Sequence, residues 1–194
     1  MLKTLIYLDM KKNRMHPKIE EKIISFVKKY KPELNSVLEV GATYTNNVLR
    51  NNIFKNTSTL LGVNLKVVSK KKNQIDSTSY EILQQNANNM DLFEDGSFDV
   101  VISNAMLEHD KFFWRSVKEM KRVLKKNGVL IVGVPGFDKG GNKNSTMTFI
   151  HHGDVDYYRF GEDIFRDFIF ADMDKVLIQK ILKPVRIVGV GIKK

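Results

Sequence analysis

The chain of 194 residues contains no cysteine. This absence excludes disulfide bonds, thiolate catalysis and cysteine-based zinc sites, and it leaves the redox environment open. Long apolar runs are also missing, because no window approaches the roughly 18 apolar residues that a membrane span requires. The first residues form only a short apolar run, interrupted by Thr4 and Asp9. We therefore expect no secretory signal and no membrane partner, and we predict a cytoplasmic protein.

Charge is the most uneven part of the composition. The chain has 32 Lys and Arg against 22 Asp and Glu, a net charge of +10, while 42% of its residues are apolar and can form a sizeable core. A basic balance favours an anionic partner such as nucleic acid, an acidic metabolite or a phospholipid surface. The lysines are dispersed, however, and only residues 70–72 form a compact run. A solvated lysine surface is the simpler interpretation.

Apolar periodicity predicts strands that alternate with helices. Helical spacing predicts helices at residues 16–30, 111–126 and 162–170, and short apolar runs predict strands at 37–41, 59–63, 80–83, 98–103, 129–134, 175–182 and 185–190. Residues 46–53 are predicted to begin a further helix. Asn127 and Gly128 are predicted to form the C-cap of the helix at 111–126. The lysine-rich residues 66–79 show no convincing period and are interpreted as a loop or a degraded helix.

The order of these elements predicts the fold class. We expect an α/β fold with a doubly wound, mostly parallel sheet, flanked by helices and completed by a C-terminal antiparallel hairpin. Residues 1–194 are predicted to form a single domain, with an N-terminal helical cap at 1–34 and a sheet core at 35–194. A loop at 136–148, rich in Gly, Asn, Ser and Lys, is predicted to be mobile.

Four sequence motifs recur in an informative order. They are SVLEVGATYT at 36–45, LLGVN at 60–64, FEDGSFDVVISN at 93–104 and EMKRVLKKNGVLIVGVP at 119–135. This order resembles the class I S-adenosylmethionine-dependent methyltransferases, and in particular their small, type-11-like bacterial branch. The resemblance covers residues 35–137 and, more loosely, 151–168. It implies a Rossmann-like fold, S-adenosyl-L-methionine as cofactor and methyl transfer as activity.

The resemblance also implies a set of cofactor-binding residues at the carboxyl ends of the strands. Ligands of open parallel sheets bind at this edge, near the point where the strand order reverses. A glycine after the first strand lets a ligand approach the backbone. The positions that match the family's cofactor motifs are Glu39, Gly41, Ala42, Thr43, Thr45, Asn64, Leu65, Asn86, Ala87 and Asn104.

At several of these positions the chain departs from the family's pattern. Threonines 43 and 45 stand where the family prefers glycine, so the turn must be wider or reshaped. Asn64 replaces the acidic residue that holds the ribose hydroxyls, and Asn86 replaces an acidic residue near the adenine. An ordinary strand-end asparagine stays an alternative for Asn64. A nicotinamide-binding domain is disfavoured because Gly-x-Gly-x-x-Gly is absent.

Acceptor-binding residues are harder to assign, because methyl transfer from a sulfonium needs orientation more than a fixed catalytic set. His109 follows the fourth strand and is the candidate base or positioning group, with a surface histidine as the alternative. Trp114 either lines the pocket or packs against its neighbours. The string YYRF at 157–160 resembles the family's segment before the last helix.

Tyr158 and Arg159 are the candidates for holding an acceptor, because a guanidinium binds an anionic group through its planar fork. A salt bridge from Arg159 to Asp156 or Glu162 is the competing interpretation. The nearby histidine pair at 151–152 is a poor metal site, because adjacent side chains diverge on regular backbone. We expect no metal.

Three functions are consistent with these observations. The first is a methyltransferase with a small-molecule substrate, for which the net charge of the chain suggests an anionic acceptor. The second is an RNA or other nucleic-acid methyltransferase or binding module that uses the basic surface. The third is a methyltransferase fold that serves as a scaffold, which is suggested by the replaced residues at positions 43, 45, 64 and 86. The sequence leaves the oligomeric state open.

Overall fold

A computed structural model describes residues 15–66, 79–138, 146–147, 155–181 and 185–194. Its helices are α1 (Pro17–Tyr30), α2 (Phe113–Val123) and α3 (Glu162–Ile164), which continues as a π-helical turn (Phe165–Ile169), with 3-10 turns at Asn52–Phe54 and Leu107–His109. The strands are β1 (Ser36–Val40), β2 (Thr59–Asn64), β3 (Glu81–Gln84), β4 (Phe98–Asn104), β5 (Leu124–Pro135), β6 (Phe137–Asp138), β7 (Thr146–Met147), β8 (Met173–Ile181) and β9 (Arg186–Lys193).

Seven strands form one sheet in the order β3-β2-β1-β4-β5-β9-β8. The first five in this order pair in parallel, whereas β9 is antiparallel to both β5 and β8. The strand order reverses between β1 and β4, so the sheet is doubly wound. The predicted fold class and the C-terminal antiparallel hairpin are therefore confirmed.

Apolar side chains on both faces of the sheet build two cores. Along β4, Val100 and Ile102 pack into one core and Val101 packs into the other, as the two-residue period of a strand requires. Phe98 packs into the core of Val101, because the register shifts between Phe98 and Val100. Strand β5 alternates in the same way. This double burial explains why the central strands appear in the sequence as continuous apolar runs.

Helix α1 covers one face of this sheet. His16 precedes it and accepts a hydrogen bond from the Lys18 amide at 3.3 Å, and Pro17 occupies the first turn. Ile23 and Val27 on its inner face are fully buried against β5 and β9. The predicted helix and its packing on the sheet are confirmed. Among the described residues, no helix is long and apolar enough to cross a membrane.

The helix predicted at residues 46–53 does not form. Turns occupy this segment, and only Asn52–Phe54 makes a 3-10 turn. The reason is that asparagine side chains take the backbone amides that a helix would use. The Asn47 side chain accepts from the Arg50 amide at 3.2 Å, and the Asn51 side chain accepts from the Ile53 amide at 3.2 Å.

The predicted C-cap at Asn127 and Gly128 is also wrong. Helix α2 already ends at Val123, and β5 begins at once with Leu124, which is buried and pairs with Phe98. Asn127 has a φ of 61° and lies within β5, where the register to β4 shifts. Asparagine tolerates the left-handed region, so it serves here in a bulge rather than at a helix end.

Part of the loop predicted at 136–148 is ordered into short pairings. Gly136 forms a bridge to Phe160, and β6 pairs with β7 in an antiparallel ladder. The rest of that loop lies outside the described residues, as do most of residues 66–79 and the histidine pair at 151–152. The assignment of a single domain, with its boundaries at 1–34 and 35–194, stays a prediction.

Candidate active site

A cavity of about 540 Å³ opens at the carboxyl ends of β1, β2 and β4. Loops after these strands bring together residues that are far apart in the sequence. Of the predicted cofactor and catalytic residues, eight line the cavity, namely Gly41, Thr43, Asn64, Leu65, Asn86, Ala87, Asn104 and His109. Five further polar residues in the lining were not predicted, namely Asn46, Lys66, Gln85, Asn88 and Asp110.

Gly41 begins the turn after β1 with a φ of +88°, a conformation that favours glycine. A Cβ at this position would lie 2.6 Å from Cβ and Cγ of Met106. Met106 itself lines the cavity. The space that the glycine leaves open is therefore filled by a side chain that follows β4, which brings the two loops into contact.

Glu39 does not line the cavity but holds the loop beside it. Its side chain is 2% exposed, and Oε2 accepts a hydrogen bond from the Val48 amide at 2.7 Å. Burial raises the pKa of this carboxyl to about 8, against the opposing effect of the hydrogen bonds from the Val48 and Leu49 amides. The predicted cofactor-binding position at Glu39 is therefore a buried support of the loop.

The threonines form a reshaped turn, as their side chains required. Thr43 Oγ1 accepts a hydrogen bond from the Asn46 amide at 3.0 Å and lies 3.3 Å from Thr45 Oγ1. Among the described residues that are not glycine, positive φ angles occur only at 105, 127 and 175, so neither threonine is strained. Thr43 lines the cavity, whereas Ala42 and Thr45 do not.

Asn64 ends β2 and ties two loops together. Its Nδ2 donates to the Ala42 carbonyl at 3.0 Å, and its Oδ1 accepts from the Lys66 amide at 3.0 Å. Each amide atom can make one more hydrogen bond, because Nδ2 carries a second hydrogen and Oδ1 a second lone pair. The side chain can therefore both brace the loop and bind a hydroxyl group.

The segment after β3 forms another wall of the cavity. Asn86 Oδ1 accepts from the Asn88 amide at 2.9 Å, and Asn88 Nδ2 donates to Asp110 Oδ2 at 2.8 Å. Asp110 Oδ2 also accepts from the Ser116 hydroxyl at 2.6 Å, and Oδ1 accepts from the Phe112 amide at 2.9 Å. This network fixes the loop against the start of α2. No pattern in the sequence before α2 indicated that Asn88 and Asp110 are hydrogen-bonded to each other.

The floor of the cavity lies where β4 separates from β5. Ala105 has a φ of 53°, and its amide donates to the Gly133 carbonyl at 2.8 Å. Asn104 Oδ1 occupies the space in which a Cβ of Gly133 would stand, at 2.5 Å. A non-glycine residue in the left-handed region is typical of functional sites, because the surrounding structure must hold the strained backbone.

His109 lies on the 3-10 turn after β4, at the mouth of the cavity. Its Nδ1 is 3.3 Å from the Val155 carbonyl and 2.8 Å from Asp156 Oδ1. The segment after residue 154 is held there because the Tyr157 and Tyr158 amides donate to the Glu108 carbonyl at 2.8 and 3.3 Å. Val155 and Tyr157 also line the cavity, although the sequence did not single them out.

The predicted acceptor-binding residues do not line this cavity. Trp114 is 43% exposed and packs edge-on against the rings of Phe112 and Phe113. Tyr158 donates its hydroxyl to the Lys111 carbonyl at 2.9 Å. Arg159 forms an ion pair with Asp156, which is the alternative that the sequence left open for it.

Metal ligands are not assembled in the part of the chain described by the structure. Within those ranges, no three His, Asp or Glu side chains are grouped closely enough to hold an ion. The carboxylates nearest the cavity, Asp110 and Asp156, are held by hydrogen bonds and an ion pair.

Comparison with known proteins shows which family and which solved structures this architecture resembles. Residues 38–132 match the family described as methyltransferase domain. No curated protein sequence matches the chain significantly. Many solved structures share the fold, and all the similarities given below lie under 25% identity.

Three solved structures illustrate the similarity. The 1,6-didemethyltoxoflavin-N1-methyltransferase of Burkholderia thailandensis has a TM-score of 0.62 at 16% identity, with 88% of this chain and 76% of that chain covered. The PH0226 protein of Pyrococcus horikoshii has a TM-score of 0.62 at 16% identity, with 92% of each chain covered. The phosphoethanolamine N-methyltransferase 2 of Haemonchus contortus has a TM-score of 0.60 at 12% identity, with 89% of this chain and 52% of that chain covered.

The first and third of these proteins were crystallised with S-adenosylhomocysteine, the demethylated form of the predicted cofactor. The family match covers β2, β3 and β4 and most of β1 and β5, and the loops that line the cavity follow β1, β2, β3 and β4. The resemblance seen in the sequence motifs is thereby confirmed: the methyltransferase-domain match covers residues 38–132, and the sheet has the fold of the solved methyltransferases.

Proposed function

We propose that this protein transfers a methyl group from S-adenosyl-L-methionine to a small-molecule acceptor. The observation that carries the proposal is the cavity, in which Gly41, Asn64 and Asn86 come together from three separate loops. Ligands of open parallel sheets bind at this edge. The cavity's volume of about 540 Å³ is typical of a small-molecule site.

The chemistry of the lining fits this cofactor. Among the residues that line the cavity are Asn64, Asn86 and Asn104, which carry side-chain amides. Amides can donate to and accept from ribose hydroxyls, the edge of adenine and an amino-acid group. The hydroxyl contacts are weaker than those of a carboxylate, because an amide carries no charge. Asn64 is assigned to the ribose, Asn86 and Ala87 to the adenine, and Asn104 to the amino-acid end.

The reaction asks little more of the protein than orientation. The bound sulfonium supplies a methyl group that is already activated. The chain's own part is to hold the acceptor in line with that methyl and to exclude water. His109, Val155 and Tyr157 stand at the mouth of the cavity, where an acceptor would enter, and His109 is assigned as the base or positioning group. The similarity to two methyltransferases whose named ligands are small molecules supports this class of acceptor.

Calorimetric titration with S-adenosylhomocysteine tests the proposal. We expect micromolar binding to the wild-type protein. Asn86→Ala should bind about tenfold more weakly, which is the effect of losing one hydrogen bond to the ligand.

Asn52→Ala is the matched control, because Asn52 is exposed and does not line the cavity. Its affinity should equal that of the wild type. A folded wild-type protein that gives no heat of binding contradicts the proposal and leaves the scaffold alternative.

A further inference from the structure

His109 is surrounded by charged side chains that the cofactor site does not use. Its Nδ1 faces Asp156 Oδ1 at 2.8 Å, and its Nε2 is 3.8 Å from Glu108 Oε1. Glu108 is fully buried, and 29% of the His109 side chain is exposed at the cavity. The imidazole therefore lies between two carboxylates, with one edge at the place where an acceptor would enter.

Two guanidinium groups balance these carboxylates. Arg159 forms an ion pair with Asp156, and Arg186 interacts electrostatically with both Glu108 and Asp156. The imidazole therefore lies in a cluster of two carboxylates and two guanidinium groups, and a proton passed to it would lie between the two carboxylates.

The backbone also favours one form of the neutral ring. Nδ1 is 3.3 Å from the Val155 carbonyl, which is a long contact, and 2.8 Å from Asp156 Oδ1, so the carboxylate charge is the nearer group that holds the hydrogen on this nitrogen. A carbonyl oxygen can only accept, so Nδ1 carries the hydrogen and the basic lone pair lies on Nε2. His109 is thus held in the form that accepts a proton.

The acceptor's entrance is apolar. Val155 is 61% exposed and Tyr157 is 47% exposed, and both line the cavity next to His109. Large apolar side chains exposed at the rim of a cavity are typical of a binding surface. They fit an acceptor with an apolar or aromatic body.

From these observations we infer that the acceptor is an apolar molecule whose methylated atom is a phenol-like hydroxyl or a ring N–H, and that its proton passes to His109. Asp156 is a positioning residue that orients the imidazole. This inference rests on the proposed function. In the step, the bond from the acceptor atom to carbon forms while the bond from sulfur to the methyl carbon breaks. The electron pair of the broken bond stays on sulfur, and the acceptor's proton moves to the imidazole.

A panel of acceptors tests the inference. It contains phenols of graded acidity, ring N–H heteroaromatics and primary amines, and methylated products are measured by mass spectrometry. We expect products from phenols or ring N–H compounds. His109→Gln should lower kcat by about 100-fold for weakly acidic phenols, in the range of general base catalysis, and only a few-fold for phenols that are already ionised in the assay.

A second readout does not depend on turnover. Nitrogen-15 spectra of the imidazole, recorded on the complex with S-adenosylhomocysteine, should show the hydrogen on Nδ1 in the wild type and a mixture of both forms in Asp156→Asn. Asp156→Asn should lower kcat and retain its affinity for S-adenosylhomocysteine. Asp163→Asn is the matched control, because Asp163 is exposed and pairs with Arg166 away from the cavity, and it should behave as the wild type.

The outcomes separate this inference from the proposed function. Methylation confined to amines, no methylation of any compound in the panel, or an equal loss in His109→Gln across all phenols overturns the inference, as does an unchanged ring signature in Asp156→Asn. If S-adenosylhomocysteine binds in those cases, the proposed function itself survives. Absence of that binding overturns both.

Discussion

At the scale of single residues, polar side chains around the cavity make hydrogen bonds within the protein, in addition to those that they could offer to a ligand. Asn64 braces the turn at Ala42, and Glu39 holds the amide of Val48. The family's usual acidic and glycine residues are partly replaced, yet the replacements are integrated into the loop. Substitutions here are expected to affect stability and binding together.

Gly41→Ala is predicted to be more destabilising than Gly96→Ala. Both glycines have positive φ, of 88° and 65°. A Cβ at Gly41 would also clash with Met106, whereas at Gly96 the nearest heavy atom is Lys125 Cα at 3.8 Å. We expect a loss of about 1 kcal/mol for Gly96→Ala from backbone strain, and about 3 kcal/mol for Gly41→Ala from strain and overpacking. Urea denaturation measures both; equal losses would show that Met106 adjusts without cost.

The pH dependence of stability is predicted to change in Glu39→Gln. The pKa of Glu39 rises to about 8 in the folded protein, above its ordinary value of 4.5, so the folded state binds more protons than the unfolded state between these values. This carboxyl therefore lowers the free energy of unfolding as the pH rises from about 4.5 to about 8, with no further loss above. The slope is at most about 1.4 kcal/mol per pH unit.

Glu39→Gln should lack this decline, because the amide does not titrate. We expect its free energy of unfolding, measured by denaturation at several pH values, to increase relative to that of the wild type as the pH rises to about 8. Glu81→Gln on the exposed side of β3 is the control and should run parallel to the wild type. If the curve of unfolding free energy against pH for Glu39→Gln also runs parallel to that of the wild type, the prediction is contradicted.

At the scale of elements, Arg122 on α2 makes several of the contacts that fasten the segment from β3 to β4 to this helix. Arg122 donates to the carbonyls of Phe93 and Met90, at 2.9 and 2.8 Å, and pairs with Asp95 and Glu119. These contacts show that the turn at residues 95–99 has a structural role. Asp99, at its end, accepts from the amides of residues 35 and 36 at the start of β1.

Arg122→Lys is predicted to destabilise the protein although the charge is retained. Lysine cannot reproduce the planar fork that reaches two carbonyls and two carboxylates at once, so buried carbonyls lose their donors. We expect a loss of about 2 kcal/mol by denaturation. Arg166→Lys is the control: its ion pair with Asp163 is exposed, and the change should stay within about 0.5 kcal/mol. A loss of similar size in both variants would contradict the assignment.

At the scale of the whole molecule, burial decreases from the middle of the sheet to its edges. All five residues of β1 are buried, whereas only Met173 is buried in β8. Strand β3 ends the sheet on the other side, with exposed residues at both of its ends. The cavity adjoins the rigid centre at β1 and β4, which suits the positioning of a ligand.

Backbone hydrogen exchange should follow this gradient. We expect the slowest exchange in β1, β4 and β5, which open only with global unfolding, and much faster exchange in β3 and β8, which open locally. Exchange measured by NMR or mass spectrometry gives the order directly. Protection in β8 as strong as in β1 would mean that a partner or a second copy covers this edge.

The fold could be predicted from the sequence because its signals are local. The two-residue alternation and the continuous apolar runs gave the strands of the sheet, and helical spacing with Pro17 gave α1. Local signals also caused the errors. A helix was expected to begin at residues 46–53, but asparagine side chains compete for its amides. Asn127 looked like a helix cap, but it lies in a strand bulge.

By itself, the sequence determined the class of the fold, the edge of the sheet at which the cavity opens and eight of the residues that line the cavity, because strand ends and motifs follow from neighbouring residues. Only the tertiary structure decided how distant groups pair. It placed Asp156 beside His109, Met106 over Gly41, and Val155 and Tyr157 at the entrance. Such contacts depend on how loops pack across the sheet, and no local pattern encodes the distance between side chains that lie dozens of residues apart.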